Sequence, residues 1–219
     1  MSRRPVLALF APLVLVTLAG AWPGAARAAP VGSFFQSVEV RSTNLTPFTK
    51  WLSAVSRALE EQATAGQPCA ASASGQCQMA DWQAFLAETA GLPPRQQVER
   101  INTHMNRADY IIDPVNWGMP DYWASPGQFL RREGDCEDYA IAKYMSLRAL
   151  GFDPSAMRIV VLQDMNLNIA HAVLLLDLNG ERLILDNQIG QVVTADVIRH
   201  YRPLYSINEG AWWLHRPAG

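Results

Sequence analysis

The stretch AHAVLLLDLNGERLILDN, residues 170–187, decides the fold. Two apolar segments flank Asn179-Gly180, a dipeptide that strongly indicates a tight β-hairpin because both residues tolerate the left-handed backbone of the turn. Residues 158–163 have the composition of a third strand. Before Gly151, by contrast, apolar residues recur at helical spacing. Helices followed by antiparallel strands predict an α+β fold in which a helix packs on the sheet.

The part of the chain before Gly151 predicts one short strand, four helices and one long loop. The strand is expected at Ser37–Arg41, and an ordered loop rich in proline, glycine and aromatic residues at Asp113–Gly127. Prolines and glycines mark most of the helix ends. The predicted helices run from Thr46-Pro47 to near Gly66, from near Met79 to Gly91, from Pro93-Pro94 to near Met105, and from Asp135 to Leu150.

Composition bounds the class of protein. The chain has 219 residues, of which 49% are hydrophobic and 17% charged, so it can bury the core of a single domain. This composition excludes a mainly disordered chain, and 14 glycines with only three cysteines exclude collagen and a disulfide-dense scaffold. A formal net charge of −2 argues against a nucleic-acid-binding surface.

Residues 1–28 are predicted to be a secretory signal peptide. Arg3-Arg4 forms the positive region, Val6–Ala21 the apolar region, and Ala26-Arg27-Ala28 the small-residue cleavage site. The apolar run of about 16 residues is shorter than the roughly 20 that a membrane span requires, which disfavours the alternative of an uncleaved anchor. Cleavage after Ala28 would leave residues 29–219 as one periplasmic domain without stable membrane insertion.

Cysteine usage agrees with export to an oxidising compartment. Cys69 and Cys77 lie in a loop-like stretch, Pro68–Gln78, and are predicted to form a disulfide that stabilises the fold by about 2–3 kcal/mol. The alternative is two unpaired surface thiols. Cys136 is then the odd cysteine, and an unpaired cysteine in an exported protein suggests a reactive thiol.

The motif Gly134-Asp135-Cys136-Glu137-Asp138-Tyr139 places a cysteine at the predicted start of a helix. Unpaired backbone N–H groups and the helix dipole stabilise a thiolate there, which is the nucleophilic form of cysteine. Asp135 and Glu137 oppose this effect by like-charge repulsion unless a cation neutralises them. Taken alone, a buried cysteine at a helix start is usually inert packing.

The hairpin predicts which residues could activate this thiol. A two-residue turn at Asn179-Gly180 places Asp186 opposite Val173. His171 is then the diagonal neighbour of Asp186, at roughly 7 Å between Cβ atoms. A carboxylate there accepts the proton of one imidazole nitrogen and leaves the other nitrogen facing a nucleophile. A register slip of one residue would move Asp186 to the opposite face of the sheet.

Six sequence blocks carry a resemblance to a known family. They are Asp109-Tyr110, Asp121–Pro126, Gly134–Tyr144, His171–Leu174, Leu185–Asn187 and Tyr205–Asn208. With these blocks the chain resembles the bacterial transglutaminase-like cysteine proteinases, and among them the periplasmic LapG type. The Gly-Asp-Cys-Glu-Asp-Tyr block is the specific one, since a bare cysteine, histidine and aspartate occur in many unrelated chains.

The resemblance implies a papain-like, transglutaminase-type core with a Cys-His-Asp triad. By motif position, Cys136 is the nucleophile, His171 the general base and Asp186 the orienting carboxylate. It also implies dependence on Ca²⁺, with Asp135 and Glu137 taking part in a calcium site that would neutralise charge beside the thiolate. The alternative for these two acids is a solvated helix N-terminus that the dipole favours.

The same resemblance implies a function. The family's substrate is a large adhesin anchored in the outer membrane, cut near its N-terminus at a di-alanine site, which controls biofilm attachment. Its regulator is an inner-membrane cyclic di-GMP receptor that sequesters the protease. Two alternatives stay open: a transglutaminase-type acyltransferase or amidase that uses the same triad, and a non-catalytic, calcium-responsive binding protein.

One part of the predicted site has no firm assignment, namely the side chain that assists the backbone N–H of Cys136 in an oxyanion hole. The indole of Trp123 and the amide of Asn106 are the candidates. The remaining histidines lack metal-ligand spacing and receive no role; they are His104, His200 and His215.

Overall fold

A computed structural model describes residues 34–64 and 74–217. The predicted signal peptide at 1–28 and Cys69 lie outside these residues. The described helices are α1 (Thr49–Thr64), α2 (Ser74–Ala90), α3 (Pro94–Met105), α4 (Asp113–Asn116), α5 (Pro126–Arg132) and α6 (Cys136–Ala149). The described strands are β1 (Ser37–Ser42), β2 (Met157–Asp164), β3 (Ile169–Leu178), β4 (Glu181–Leu185), β5 (Val193–Thr194), β6 (Tyr201–Ile207) and β7 (Trp212–Pro217). Within these ranges, no helix has the length and hydropathy needed to cross a membrane.

The strands form one antiparallel sheet in the order β1-β7-β6-β2-β3-β4-β5. The predicted hairpin is confirmed as β3 and β4, with Leu178 paired to Glu181. Asn179 has a φ of 54° and Gly180 a φ of 87°, the left-handed backbone that a two-residue turn requires. With helices preceding an antiparallel sheet, the predicted α+β class is confirmed as well.

Both faces of the sheet are buried. Alternate residues of β3 point to opposite sides, so that Leu174 joins the core beneath α6, whereas Val173 joins a second core on the other face. Helix α6 packs against β2 and β3 on one side and against α3 and α5 on the other. Every residue of α6 from Asp138 to Leu147 is buried. The helix that carries Cys136 is therefore the central element of the molecule.

The first and last described strands, β1 and β7, pair with each other. The imidazole of His215 lies 2.8 Å from Ser37 Oγ and 2.9 Å from Ser206 Oγ, so it joins β1, β7 and β6. Burial, together with the charge of Arg158, lowers the pKa of His215 to about 4, and the ring is neutral at pH 7. His215 thus has a structural role that its sequence context does not indicate.

Two stretches expected to be irregular contain helices. The predicted loop Asp113–Gly127 includes α4 and the start of α5, where Ser125 is the N-cap and a proline follows. Within the predicted loop Pro68–Gln78, α2 already begins at Ser74. Burial of Met79 and Trp82 in the core stabilises this helix, and this tertiary packing outweighs the low helix propensity of Gly75 in its first turn.

The C-terminal strands extend the sheet beyond the predicted ones. β6 contains Pro203, and its pairing with β2 shifts register between Val161 and Leu162. Both features weaken a strand pattern because proline lacks the N–H group and a bulge breaks the alternation. At the other end of the chain, α1 begins at Thr49 rather than at Pro47, since residues 46 and 47 form a turn.

Candidate active site

Cys136 is the first residue of α6 and a free cysteine. Its side chain borders a pocket of about 280 Å³, which His171 also lines. Cys77 lies in a disulfide, whereas its predicted partner Cys69 lies outside the described residues, so that pairing stays a prediction. Cys136 is therefore the thiol that a molecule in this pocket would meet.

His171 and Asp186 form the buried pair that the hairpin register predicts. Nε2 of His171 lies 2.9 Å from Oδ1 of Asp186. The same oxygen accepts the backbone N–H of Gln188 at 2.8 Å, and Oδ2 accepts the hydroxyl of Tyr201 at 2.6 Å. Burial raises the pKa of Asp186, but the hydrogen bond and charge of His171 outweigh it and hold that pKa below its ordinary value. An ionised carboxylate thus fixes the orientation of the ring.

The second nitrogen of the imidazole is the one left for the thiol. Nδ1 of His171 lies 3.5 Å from the side-chain nitrogen of Gln188, and the ring borders the same pocket as Cys136. When Nε2–H donates to Asp186, a neutral ring presents Nδ1 as an acceptor. β3 also contributes the backbone N–H of Ala172, whose hydrogen bond to the sulfur favours the thiolate. The structure therefore brings the three predicted residues into one arrangement.

Asp135 and Glu137, the predicted calcium ligands, belong to an acidic cluster that also contains Asp113, Asp121 and Asp138. Carboxylate oxygens of Asp113, Asp135 and Asp138 lie within 4.8 Å of one another. Those of Asp113, Asp121 and Glu137 do so as well. Asp113 and Asp138 are almost completely buried. Asp135 and Glu137 are half-buried, whereas Asp121 is exposed and forms an ion pair with Lys50. Carboxylates this close to two buried ones are stable only when they are protonated or neutralised by a cation.

The glycine of the motif lets Asp138 pack against the loop that precedes α6. A Cβ at Gly134 would lie 2.2 Å from Oδ2 of Asp138 and 2.8 Å from its Cγ, far inside van der Waals contact. Oδ1 of Asp138 accepts the backbone N–H of Ala124 at 2.7 Å. On its other side, the carbonyl of Gly134 accepts the N–H of Ile111 at 2.9 Å. The motif therefore holds three segments together around Cys136.

Charge at the site acts against a thiolate. Burial and the neighbouring carboxylates raise the pKa of Glu137 to about 9, and burial is also the main cause that raises the pKa of Asp138 to about 8. The pKa of the Cys136 thiol is raised first by burial and then by the charge of Glu137, which lies 3.1 Å from the sulfur. Ionisation of these carboxylates would thus repel a thiolate, as the sequence predicts, and a cation would remove that repulsion.

The acidic cluster fits a calcium ion. Oδ1 of Asp113, Oδ1 of Asp135 and Oδ2 of Asp138 are buried and have no hydrogen-bond partner within the described ranges. An unpaired buried carboxylate oxygen is costly. Carboxylate oxygens are also the ligands that Ca²⁺ takes, in sets of six to eight with other oxygens. The predicted pair of acids therefore lies in a cluster of five that could hold the ion.

Both candidates for the second oxyanion donor are engaged elsewhere. The indole N–H of Trp123 donates to Oδ1 of Asp121 at 3.1 Å, although its ring borders the pocket. The side-chain amide of Asn106 donates to the backbone carbonyl of Asp186 at 2.8 Å. Asn106 therefore holds the backbone of Asp186 in place, and the second oxyanion donor stays unassigned.

Four residues of the site are absent from the sequence prediction as functional groups. Asp138 follows Asp135 by one helical turn, and this spacing is a signal that could have found it. Asp113 and Asp121 have no local signal, because tertiary packing of the loop brings them to α6. Tyr201 lies on a strand that the sequence pattern does not indicate.

The chain is similar to known proteins of one family. A model of the family of bacterial transglutaminase-like cysteine proteinases matches residues 67–212. Among solved structures, calcium-bound LapG of Legionella pneumophila is similar, with 31% sequence identity and a TM-score of 0.60 over 72% of this chain and 87% of that one. EGTA-treated LapG of the same organism gives the same identity and TM-score over 72% and 84%. No curated protein matches the chain.

Proposed function

Because the chain belongs to the bacterial transglutaminase-like cysteine proteinases, we propose that it is a calcium-dependent cysteine endopeptidase. The observation that carries the proposal is the hydrogen-bonded pair of His171 and Asp186, whose imidazole borders the same pocket as the free thiol of Cys136. A nucleophile, a base and an orienting acid are the groups that covalent acyl transfer needs. Three separate elements supply them: α6, β3 and the residue that follows β4.

The chemistry follows from these positions. Nδ1 of His171 takes the proton of the Cys136 thiol, and the thiolate attacks the carbonyl carbon of the scissile peptide bond. The backbone N–H of Cys136, at the start of α6, faces the oxyanion that develops. The imidazolium then donates its proton to the leaving amine as the C–N bond breaks. Water, deprotonated by His171, hydrolyses the thioester, while Asp186 stabilises the imidazolium.

We propose that Asp135 and Glu137, with Asp113, Asp121 and Asp138, hold the calcium ion. Bound calcium would supply positive charge that neutralises the carboxylates beside the thiol and so favours the thiolate. The unpaired buried oxygens of Asp113, Asp135 and Asp138 support this assignment. The similar LapG of Legionella pneumophila has been solved both calcium-bound and EGTA-treated.

We propose that the substrate is a large cell-surface adhesin, cut near its N-terminus at a di-alanine site, and that this cleavage controls biofilm attachment. The pocket of about 280 Å³ at Cys136, bordered by Trp123 and Tyr205, is where the residues beside the scissile bond would lie. An inner-membrane cyclic di-GMP receptor would sequester the enzyme. The compartment would be the periplasm, reached by removal of residues 1–28. The proposals for the substrate, the receptor and the compartment rest on family resemblance.

The test is cleavage of a recombinant N-terminal fragment of the host's largest adhesin. Wild type, wild type with a calcium chelator, and Cys136→Ala are compared on one gel. We expect both changes to abolish cleavage and added calcium to restore the chelated sample. Glu137→Gln should need more calcium than wild type. Asp81→Asn is the matched control, since it removes an exposed carboxylate on α2 far from the site.

The other outcomes separate the alternatives. Cleavage by Cys136→Ala would contradict the proposal. If the chelator leaves wild-type cleavage intact while Cys136→Ala abolishes it, Asp135 and Glu137 would only cap the helix N-terminus. If wild type does not cleave, incorporation of an amine donor would favour the acyltransferase. Failure of a thiol-reactive peptide probe to label Cys136, with calcium binding intact, would favour a non-catalytic binding protein.

A further inference from the structure

A second pocket lies on the face of the sheet opposite α6. Its volume is about 380 Å³, larger than the 280 Å³ of the pocket at Cys136. Aromatic rings form part of its wall: Phe34 meets Phe35 at 5.2 Å between centroids, and Phe35 meets Tyr201 at 5.8 Å. We call it the Tyr201 pocket; the residues that define it are Phe34, Phe35, Arg182, Arg199, Tyr201 and Arg202.

The Tyr201 pocket carries an excess of positive charge. Arg182, Arg199 and Arg202 line it, against a single carboxylate from Asp196. Within residues 34–64 and 74–217, the side chains of Arg199 and Arg202 are exposed and make no ion pair or hydrogen bond. The whole chain has a net charge of −2, so the positive excess is local to this pocket. Guanidinium groups gathered in a concave site favour a carboxylate or a phosphate.

The backbone at the wall of the pocket is strained. Phe35 has a φ of 50° and Gln36 a φ of 53°, left-handed values that are unusual for two successive residues other than glycine. Both residues line the pocket. Strained backbone of this kind persists where the surrounding structure holds it and is concentrated at ligand-binding sites. The strain therefore agrees with a built site rather than an accidental groove.

Tyr201 connects this pocket to the triad. Its ring lines the pocket, and its hydroxyl donates to Oδ2 of Asp186 at 2.6 Å. The ring also meets the imidazole of His171 edge-on, at 5.8 Å between centroids. A molecule that shifts the ring of Tyr201 would therefore move a hydrogen-bond donor of the orienting carboxylate.

We infer that the Tyr201 pocket binds a small organic anion, in which a carboxylate or phosphate is attached to an aromatic or aliphatic body, and that its occupancy alters the reactivity of Cys136 through Tyr201 and Asp186. The guanidinium groups of Arg199 and Arg202 bind the anionic head, and the rings contact the body. Binding is independent of the proteolytic activity. The coupling to Cys136 rests on the proposed function of the triad.

Binding is tested by calorimetric titration of residues 29–219 with benzoate and with phenyl phosphate. Benzamide, which has the same ring without the charge, is the neutral control. We expect the anions to bind and benzamide not to bind. The double variant Arg199→Ala/Arg202→Ala should bind at least about tenfold more weakly, because it loses two charged hydrogen-bond donors. Arg131→Ala, which removes an exposed arginine of α5, should bind like wild type.

Three outcomes of the titration would contradict the proposed anion site. No binding of either anion, equal binding of benzamide, or equal affinity of wild type and the double variant would each overturn the site. Binding of only one of the two anions would support the site and identify its head group. Far-ultraviolet circular dichroism of the double variant, compared with wild type, is the control for folding.

Coupling is tested by the rate at which iodoacetamide alkylates Cys136, with and without a saturating anion. This readout requires no substrate, so it separates failure of the inference from failure of the proposed protease. We expect the rate to change by about fivefold or more, the lower range of allosteric coupling. Tyr201→Phe keeps the ring but lacks the hydroxyl, and it should bind the anion without this change. An unchanged rate in wild type, or the same change in Tyr201→Phe, would overturn the coupling.

Discussion

Replacement of Gly134 by alanine is expected to destabilise the protein and to weaken the proposed calcium site at the same time. The new Cβ would lie 2.2 Å from Oδ2, 2.7 Å from Cβ and 2.8 Å from Cγ of Asp138. Asp138 has no easy way to move, because it is fully buried in α6 and its Oδ1 accepts the backbone N–H of Ala124. Either the loop before α6 or the carboxylate must therefore shift.

The size of the effect follows from overpacking. Insertion of a methyl group into a filled site costs typically about 1–3 kcal/mol. For a domain of this size, each kcal/mol lowers the melting temperature by roughly 2–4 °C. The displaced group is also an unpaired carboxylate oxygen of the proposed calcium site. We therefore expect Gly134→Ala to melt well below wild type and to gain less from calcium.

The assay is thermal unfolding of wild type, Gly134→Ala and Gly91→Ala, each with calcium and with a chelator. Gly91 is the matched control, since a Cβ there would meet no atom within 4 Å. Its substitution should change the free energy of unfolding by no more than about 0.5 kcal/mol. A Gly134→Ala protein that melts together with Gly91→Ala and keeps the full calcium shift would refute both the steric argument and the assignment of Asp138.

Three further predictions follow from the site. In the presence of a chelator, the free energy of unfolding should fall as pH rises from about 5 to 9. The reason is that burial raises the pKa of Asp113 to about 6 and of Asp138 to about 8, so the folded state binds more protons than the unfolded chain in this window. Calcium should flatten this pH profile. A melting temperature that rises with pH in the presence of the chelator would contradict the prediction. Asp186→Asn should lower kcat by about 10³–10⁴ without unfolding the protein, because the imidazole loses its orienting charge; a loss below tenfold would argue against the triad. Tyr201→Phe should lower kcat about tenfold at unchanged KM, because it removes one hydrogen bond to a charged acceptor. Steady-state kinetics measures both, and a change in KM alone would place Tyr201 in substrate binding instead.

The pairing of His171 with Asp186 could be predicted because it depends on a local signal. Asn179-Gly180 fixes a two-residue turn, and the turn fixes the register of the strands on either side. The helix that begins at Cys136 is likewise indicated by local sequence, from Asp135 at its start to Gly151 after its end. The positions proposed for the nucleophile, the base and the orienting acid therefore follow from short segments of sequence and the geometry of one hairpin.

The rest of the site depends on contacts between distant segments. Asp113 reaches Asp135 because the loop before α5 folds back on the start of α6, with the backbone N–H of Asp113 3.3 Å from Oδ2 of Asp135. Tyr201 reaches Asp186 because β6 joins the sheet beside β2 in spite of Pro203. No periodicity within either segment indicates these contacts, because side chains far apart in the chain decide them.

The pairing of β1 with β7 has a consequence for the order of assembly. β1 is made early in synthesis and must wait for β7, so this contact closes a loop of nearly the whole described chain, at an entropy cost that grows with the logarithm of the loop length. Until β7 arrives, both β1 and β6 present open edges that invite pairing with other chains. The wall of the Tyr201 pocket, which includes Phe34 beside β1, is completed in the same final step. A chain that lacks the residues from 212 onward would therefore be prone to aggregation. The sheet can close only when β7 has been synthesised and is free to pair.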